Sequence, residues 1–170
     1  MIKIKLLLLI VLVLNLYSNE VVALLKSIEN NHQLHLRYKQ TPFLCKPYGV
    51  ETISQLVQRT DINSSCMQYL DAFRIEHPKE RFFAEMTLKL EQQYSVEGIG
   101  SLCLLFLSSE HSYSEALLEE GYAHIPMSFR YDDPILEYRF KRAIKGAKVK
   151  KVGMWSDIKV KNCFLATPSK

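Results

Sequence analysis

Apolar and polar positions alternate over Gln33–Tyr38 ("QLHLRY"), the period-two pattern of a strand with one buried face. The apolar run Val21–Ile28 ("VVALLKSI") precedes it across the turn-prone "ENN", so the pair predicts a hairpin about Asn30–Asn31. "TPFLCKPYGV" begins a third strand, which Pro47 turns into a loop near Lys46–Gly49. The period then lengthens. Met67, Leu70 and Phe73 share one face of Asn63–His77, with Asn or Ser at its start and Pro78 after its end, which predicts a helix. Alternation returns through Met86, Leu88 and Leu90 in "EMTLKLEQQYSVE", and "GIGSLCLLFL" follows as a more buried strand across a hairpin near Glu97–Gly100. In "SYSEALLEEG", Ser112 and Glu115 have capping-box spacing and Gly121 can close the helix in the left-handed conformation. The last helix has Asp133 as its cap and Pro134 at its first position. Leu136, Phe140, Ala143, Ile144 and Ala147 form its apolar stripe, and Lys141, Arg142, Lys145 and Lys148 fall outside that stripe. Trp155 is expected to pack back on the domain. This order predicts an α+β fold with a small antiparallel sheet and about three helices, for which a five-stranded barrel is one natural closure.

The first residues change the boundaries. "MIKIK", the eleven-residue apolar run Leu6–Leu16 and the small Ser18 have the layout of a signal peptide over residues 1–18. A short membrane anchor is the alternative, but the run falls short of the roughly 20 apolar residues a span needs. Residues 19–160 suit one domain, with 161–170 as a C-terminal tail. Charge is divided unevenly: Asn19–Phe129 has 9 Lys and Arg against 14 Asp and Glu, whereas Arg130–Lys170 has 11 against 4. A basic C-terminal segment suits phosphates or an acidic partner, or is a solvated helix face. Export places Cys45, Cys66, Cys103 and Cys163 where disulfides persist. Four cysteines allow three pairings, and the sequence does not choose among them. The expected bridge is Cys45–Cys66, pinning segment 46–65, against the alternative of four reduced, buried thiols. No CxxC spacing points to zinc. The five histidines show no metal-like pairing and are expected at the surface or in loops. Asn63-Ser64-Ser65 fits a glycosylation sequon, a short motif with many chance matches.

The segments "SYSEALLEEGYAHI" and "EYRFKRAIKGAKVKKVGMWSD", in that order, resemble the paired C-terminal helices of the staphylococcal nuclease (thermonuclease) family. The resemblance implies an OB-fold barrel with helices over roughly residues 20–158. It also implies an active site of carboxylates that hold Ca²⁺ and two arginines that grip a phosphodiester. "FLCKPYGVETIS" lies where the family has its "RLxGIDAPE" loop. In that register Lys46 stands for the first arginine, Glu51 for a metal-binding aspartate and Ser54 for the glutamate that activates water. Asn31, or one residue to either side, falls at the metal-binding aspartate of the first turn, and Asn has no charge. The second arginine has no counterpart, since no Lys or Arg occurs between Lys89 and Arg130.

Lys46 retains charge without the planar fork that binds phosphate through two bonds. Ser54 has no carboxylate. Removing one preorganised charge partner lowers a rate about 10²–10³-fold, and several are gone together. The expectation is therefore an exported protein that has lost phosphodiester hydrolysis and binds a protein or nucleic acid. Lys141, Arg142, Lys145 and Lys148 are the candidate binding residues, with no metal and no cofactor. Two alternatives remain. One is an active nuclease that uses Ca²⁺ at an altered site around Lys46 and Glu51. The other is an envelope component, contacting the membrane if the N-terminal segment stays uncleaved.

Overall fold

The computed structural model describes residues 20–99 and 101–166. The chain runs through β1 (Glu20–Asn30), β2 (Gln33–Tyr38), β3 (Thr41–Cys45), β4 (Glu51–Thr52) and α1 (Ile53–Val57). α2 (Ser64–Glu76), α3 (Pro78–Arg81) and α4 (Phe83–Thr87) come next. Then come β5 (Gln93–Ile99), β6 (Leu102–Ser108), β7 (His111–Ser112), α5 (Tyr113–Glu119) and β8 (Ala123–His124). α6 (Pro134–Lys150), a 3₁₀ turn (Gly153–Ser156) and α7 (Ile158–Ala166) complete it. The fold is α+β. Its main sheet is antiparallel with six strands in the order β3-β2-β1-β5-β6-β7, and β4 pairs with β8 in a second, two-stranded sheet.

The alternation expected of β2 has its outcome, and β1, read as an apolar run, alternates as well. Ala23, Leu25, Leu34 and Leu36 are buried, whereas Lys26, His35 and Arg37 face outward. Burying each such leucine is worth about 1.5–3 kcal/mol. Asn30 pairs with Gln33, so Asn31 and His32 form the turn. After β3 the chain lies along β6: Cys103 N donates to Lys46 O at 2.8 Å and Tyr48 N donates to Cys103 O at 2.9 Å. This parallel bridge, Pro47 to Cys103, brings opposite parts of the sheet together beside a Cys45–Cys103 disulfide. The ladders among the described residues form an open order, with six strands instead of five.

Helices are more numerous than the three expected, because short ones fill the connections. The segment through Met86, Leu88 and Leu90 is not a strand. It is α4 and an extended exit, and β5 starts only at Gln93. Met86 and Leu90 are exposed, while Ala84 and Leu88, four apart, share the buried side. α4 lacks a side-chain cap of its own; the distant Asn31 Oδ1 accepts from Ala84 N at 2.9 Å and supplies one.

Two apolar clusters result. The sheet packs with α5 and α6 around Leu25, Leu105, Leu117 and Phe140. A second, helical cluster joins Ile53 and Leu56 of α1, Leu70 and Phe73 of α2, Met154, and Val160 and Phe164 of α7. A Cys66–Cys163 disulfide ties α2 to α7, with Cα atoms 5.4 Å apart. The expected Cys45–Cys66 bridge is thus corrected: each cysteine has a different partner, contributed by an element remote in sequence. Within the segment expected as a tail, Lys161–Ala166 continue α7, with Cys163 and Phe164 buried. Gly121 (φ 68°) and Gly153 (φ 53°) let α5 and the 3₁₀ turn meet backbone to backbone, with Met154 N donating to Gly121 O at 2.9 Å. A Cβ at Gly153 would collide with the carbonyls of Glu120 and Gly121. Among the described residues no helix is long and apolar enough to cross a membrane. The predicted signal peptide lies outside the described residues.

Candidate functional site

Asn31 and Ser54 converge on a residue the sequence did not point to, Glu80. Ser54 sits there because Thr52 and Gln55 form a capping box that starts α1. Thr52 Oγ1 accepts from Gln55 N at 3.1 Å, and Gln55 Oε1 accepts from Thr52 N at 2.8 Å. This turns Ser54 inward, and its Oγ donates to Glu80 Oε1 at 3.3 Å. Arg74 Nε donates to Glu80 Oε2 at 3.1 Å. Asn31 Nδ2 donates to the Glu80 carbonyl and approaches its Oε1 at 3.4 Å. Tyr113 Oη donates to Asn31 O at 3.3 Å. Asn31, Ser54 and Glu80 are all buried. Burial raises the Glu80 pKa, with Arg74 opposing it through charge and hydrogen bond. The group is a buried network that joins the first turn, α1, α2, α3 and α5.

Glu51 belongs to a different, shallower group. Arg59 Nη1 donates to its Oε1 at 3.0 Å, and His124 Nε2 lies 2.9 Å from its Oε2. Arg59 also forks onto Asp61, at 2.9 Å and 2.8 Å. Burial favours the neutral acid, yet the hydrogen bonds and charges of His124 and Arg59 outweigh it and hold Glu51 below the usual carboxylate range. Glu51, Gln55, Gln58, Arg59, Asp61 and Phe129 line a cleft of about 500 Å³. Lys46 is half-buried beside His32. His124 is buried on β8, contrary to the surface or loop positions expected for the histidines, and His32 lies in a turn as expected but is buried there. Burial, and then the Lys46 charge, pushes the His32 pKa down to about 4.

These residues do not suit calcium. Glu51 has both oxygens engaged by Arg59 and His124, the Asn31 oxygen caps α4, and Ser54 faces Glu80. Among the described residues no three His, Cys, Asp or Glu side chains are grouped to hold a metal ion. Lys141, Arg142, Lys145 and Lys148 are exposed on α6, opposite the buried Leu136, Phe140, Ala143 and Ala147. Lys141 pairs with Glu137 at 2.6 Å, and Lys148 lies over the Trp155 ring at 4.5 Å. None of the four lines the cleft at Glu51.

Sequence reasoning missed Glu80, Arg74, Arg59 and His124. Thr52-x-x-Gln55 was a legible signal for α1, and with it for an inward Ser54. Arg74 lies six positions before Glu80, but its other partners, Ser54 and Asn31, lie 26 and 49 positions away, where no local pattern reaches. No protein-family model matches the chain, and no curated protein matches it.

Proposed function

We propose that this protein is an exported, thermonuclease-like domain whose hydrolytic site has become structural and that it acts as a binding module through α6. The observation that carries the reading is the double engagement of Glu51. A carboxylate with one oxygen bound by Arg59 and the other by His124 is already charge-compensated, so Ca²⁺ would have to compete with both donors for it. The fold reading finds support in the parallel contact between Pro47 and Cys103, the kind of step that would close a sheet of this order into an OB-like barrel. Export finds support in the two disulfides, which fit an oxidising compartment.

Calcium linkage tests the proposal. A site filled to 100 times its dissociation constant would stabilise the fold by about 2.7 kcal/mol. The expected result is an unchanged Tm in 10 mM Ca²⁺ at roughly constant ionic strength. A rise of several degrees that disappears in Glu51→Ala would overturn it.

A further inference from the structure

The outer face of α6 has its own pattern. Ile135, Tyr138, Arg142, Lys145 and Val149 follow one another at steps of three and four, so they form one stripe. It lies away from the buried Leu136, Phe140, Ala143 and Ala147. Its three apolar members are fully presented: Ile135 is 69% exposed, Tyr138 66% and Val149 76%. Lys141 and Lys148 flank it on one side. The helix as a whole has six Lys and Arg against one Glu, a balance of +5. On the other side a cleft separates it from Glu110, Glu115 and Glu119 of the α5 region, where Glu115 is held by Arg139.

We propose that this stripe docks on an anionic phospholipid surface, a reading that names the partner of the binding module proposed above. Apolar side chains projecting from a rigid helix between lysines match a bilayer interface, which offers hydrocarbon just beneath a layer of negative charge. A phosphate backbone would use the lysines but has nothing to bury Ile135 and Val149. A second copy of the chain would bring two Lys- and Arg-bearing faces together. The acidic far wall of the cleft tilts the contact toward the Lys141 and Lys148 side.

The test places a probe on the stripe itself, so any membrane contact by the N-terminal segment does not confuse it. In full-length Tyr138→Trp protein, vesicles of phosphatidylcholine with 30% phosphatidylglycerol should blue-shift the new indole, and brominated lipid should quench it. Pure phosphatidylcholine should do neither. The triple change Lys141→Gln, Lys145→Gln and Lys148→Gln is expected to weaken that response about 100-fold. Ile135→Ser with Val149→Ser should also weaken it. All these positions are exposed, so the thermal midpoint should change little. No quenching by anionic vesicles, equal quenching by neutral ones, or tighter binding to single-stranded DNA or polyglutamate than to vesicles would each overturn the inference. If that happens while calcium still leaves Tm unchanged, the lipid partner falls and the non-catalytic reading stands.

Discussion

Glu51 stays ionised at half-buried depth because His124 and Arg59 each take one oxygen, and this sets the direction of its pH dependence. Its folded pKa is depressed, so its contribution is complete above its unfolded pKa and fades as pH falls through the folded one. Glu51→Gln should therefore cost about 2 kcal/mol near pH 7, and the two proteins should converge in acid, as urea unfolding across pH would show. His32 makes the same demand higher on the scale. The unfolded histidine titrates near 6.5 and the buried one at about 4, so the unfolded state binds more protons between those values. Stability should fall as pH drops from 6.5 to 4, and His32→Gln should flatten that slope. Placing an acid at Asn31 should harm the fold. Asn31→Asp sets a second carboxylate beside Glu80 and removes the amide that holds the Glu80 carbonyl. A loss of about 3 kcal/mol or more is expected by denaturant unfolding, because the added charge is buried against Glu80, even though one oxygen keeps the bond from Ala84 N.

At the level of elements, the β1–β2 hairpin, α2, α5 and α6 were legible because each has a local signature: alternation, a Ser112–Glu115 box, an Asp133 cap followed by Pro134. α4 was not, because its N-terminal amide is capped from Asn31, 53 residues away, and a spurious alternation in Met86, Leu88 and Leu90 imitated a strand. The cysteine pairing was illegible for a related reason. Cys45 and Cys66 are neighbours in sequence, but the sheet returns Cys103 to the first and α7 returns Cys163 to the second, closing spans of 58 and 97 residues. The sequence singled out Glu51, Ser54 and Asn31 but not the groups they bond to, Arg59, His124 and Glu80, which lie far from them or carry no local pattern. Non-reducing peptide maps should show Cys45 with Cys103 and Cys66 with Cys163. Replacing Cys66 and Cys163 by Ser should cost about 2–4 kcal/mol and speed hydrogen exchange in α7 before the sheet. Gly153→Ala meets both a left-handed backbone and the Gly121 carbonyl. It should lower stability by about 2 kcal/mol or more, where Gly98→Ala, with open space around it, should not.

Across the whole molecule, chemistry and charge have parted. Asn31 and Ser54 bond to Glu80 on one side, and Glu51 bonds to Arg59 and His124 on the other. The net positive charge lies in the C-terminal segment, which carries 11 Lys and Arg against 4 acids and has six of those cations on α6. A hydrolytic enzyme needs its cations and carboxylates converging on one phosphate, and here they are dispersed over separate groups. The most direct measurement is cleavage of single-stranded DNA by purified protein, with Ca²⁺ and with chelator, beside an active thermonuclease. The account predicts a rate equal to that of DNA alone in both conditions. Calcium-dependent cleavage by this protein, abolished in a folded Glu51→Ala variant, would contradict it.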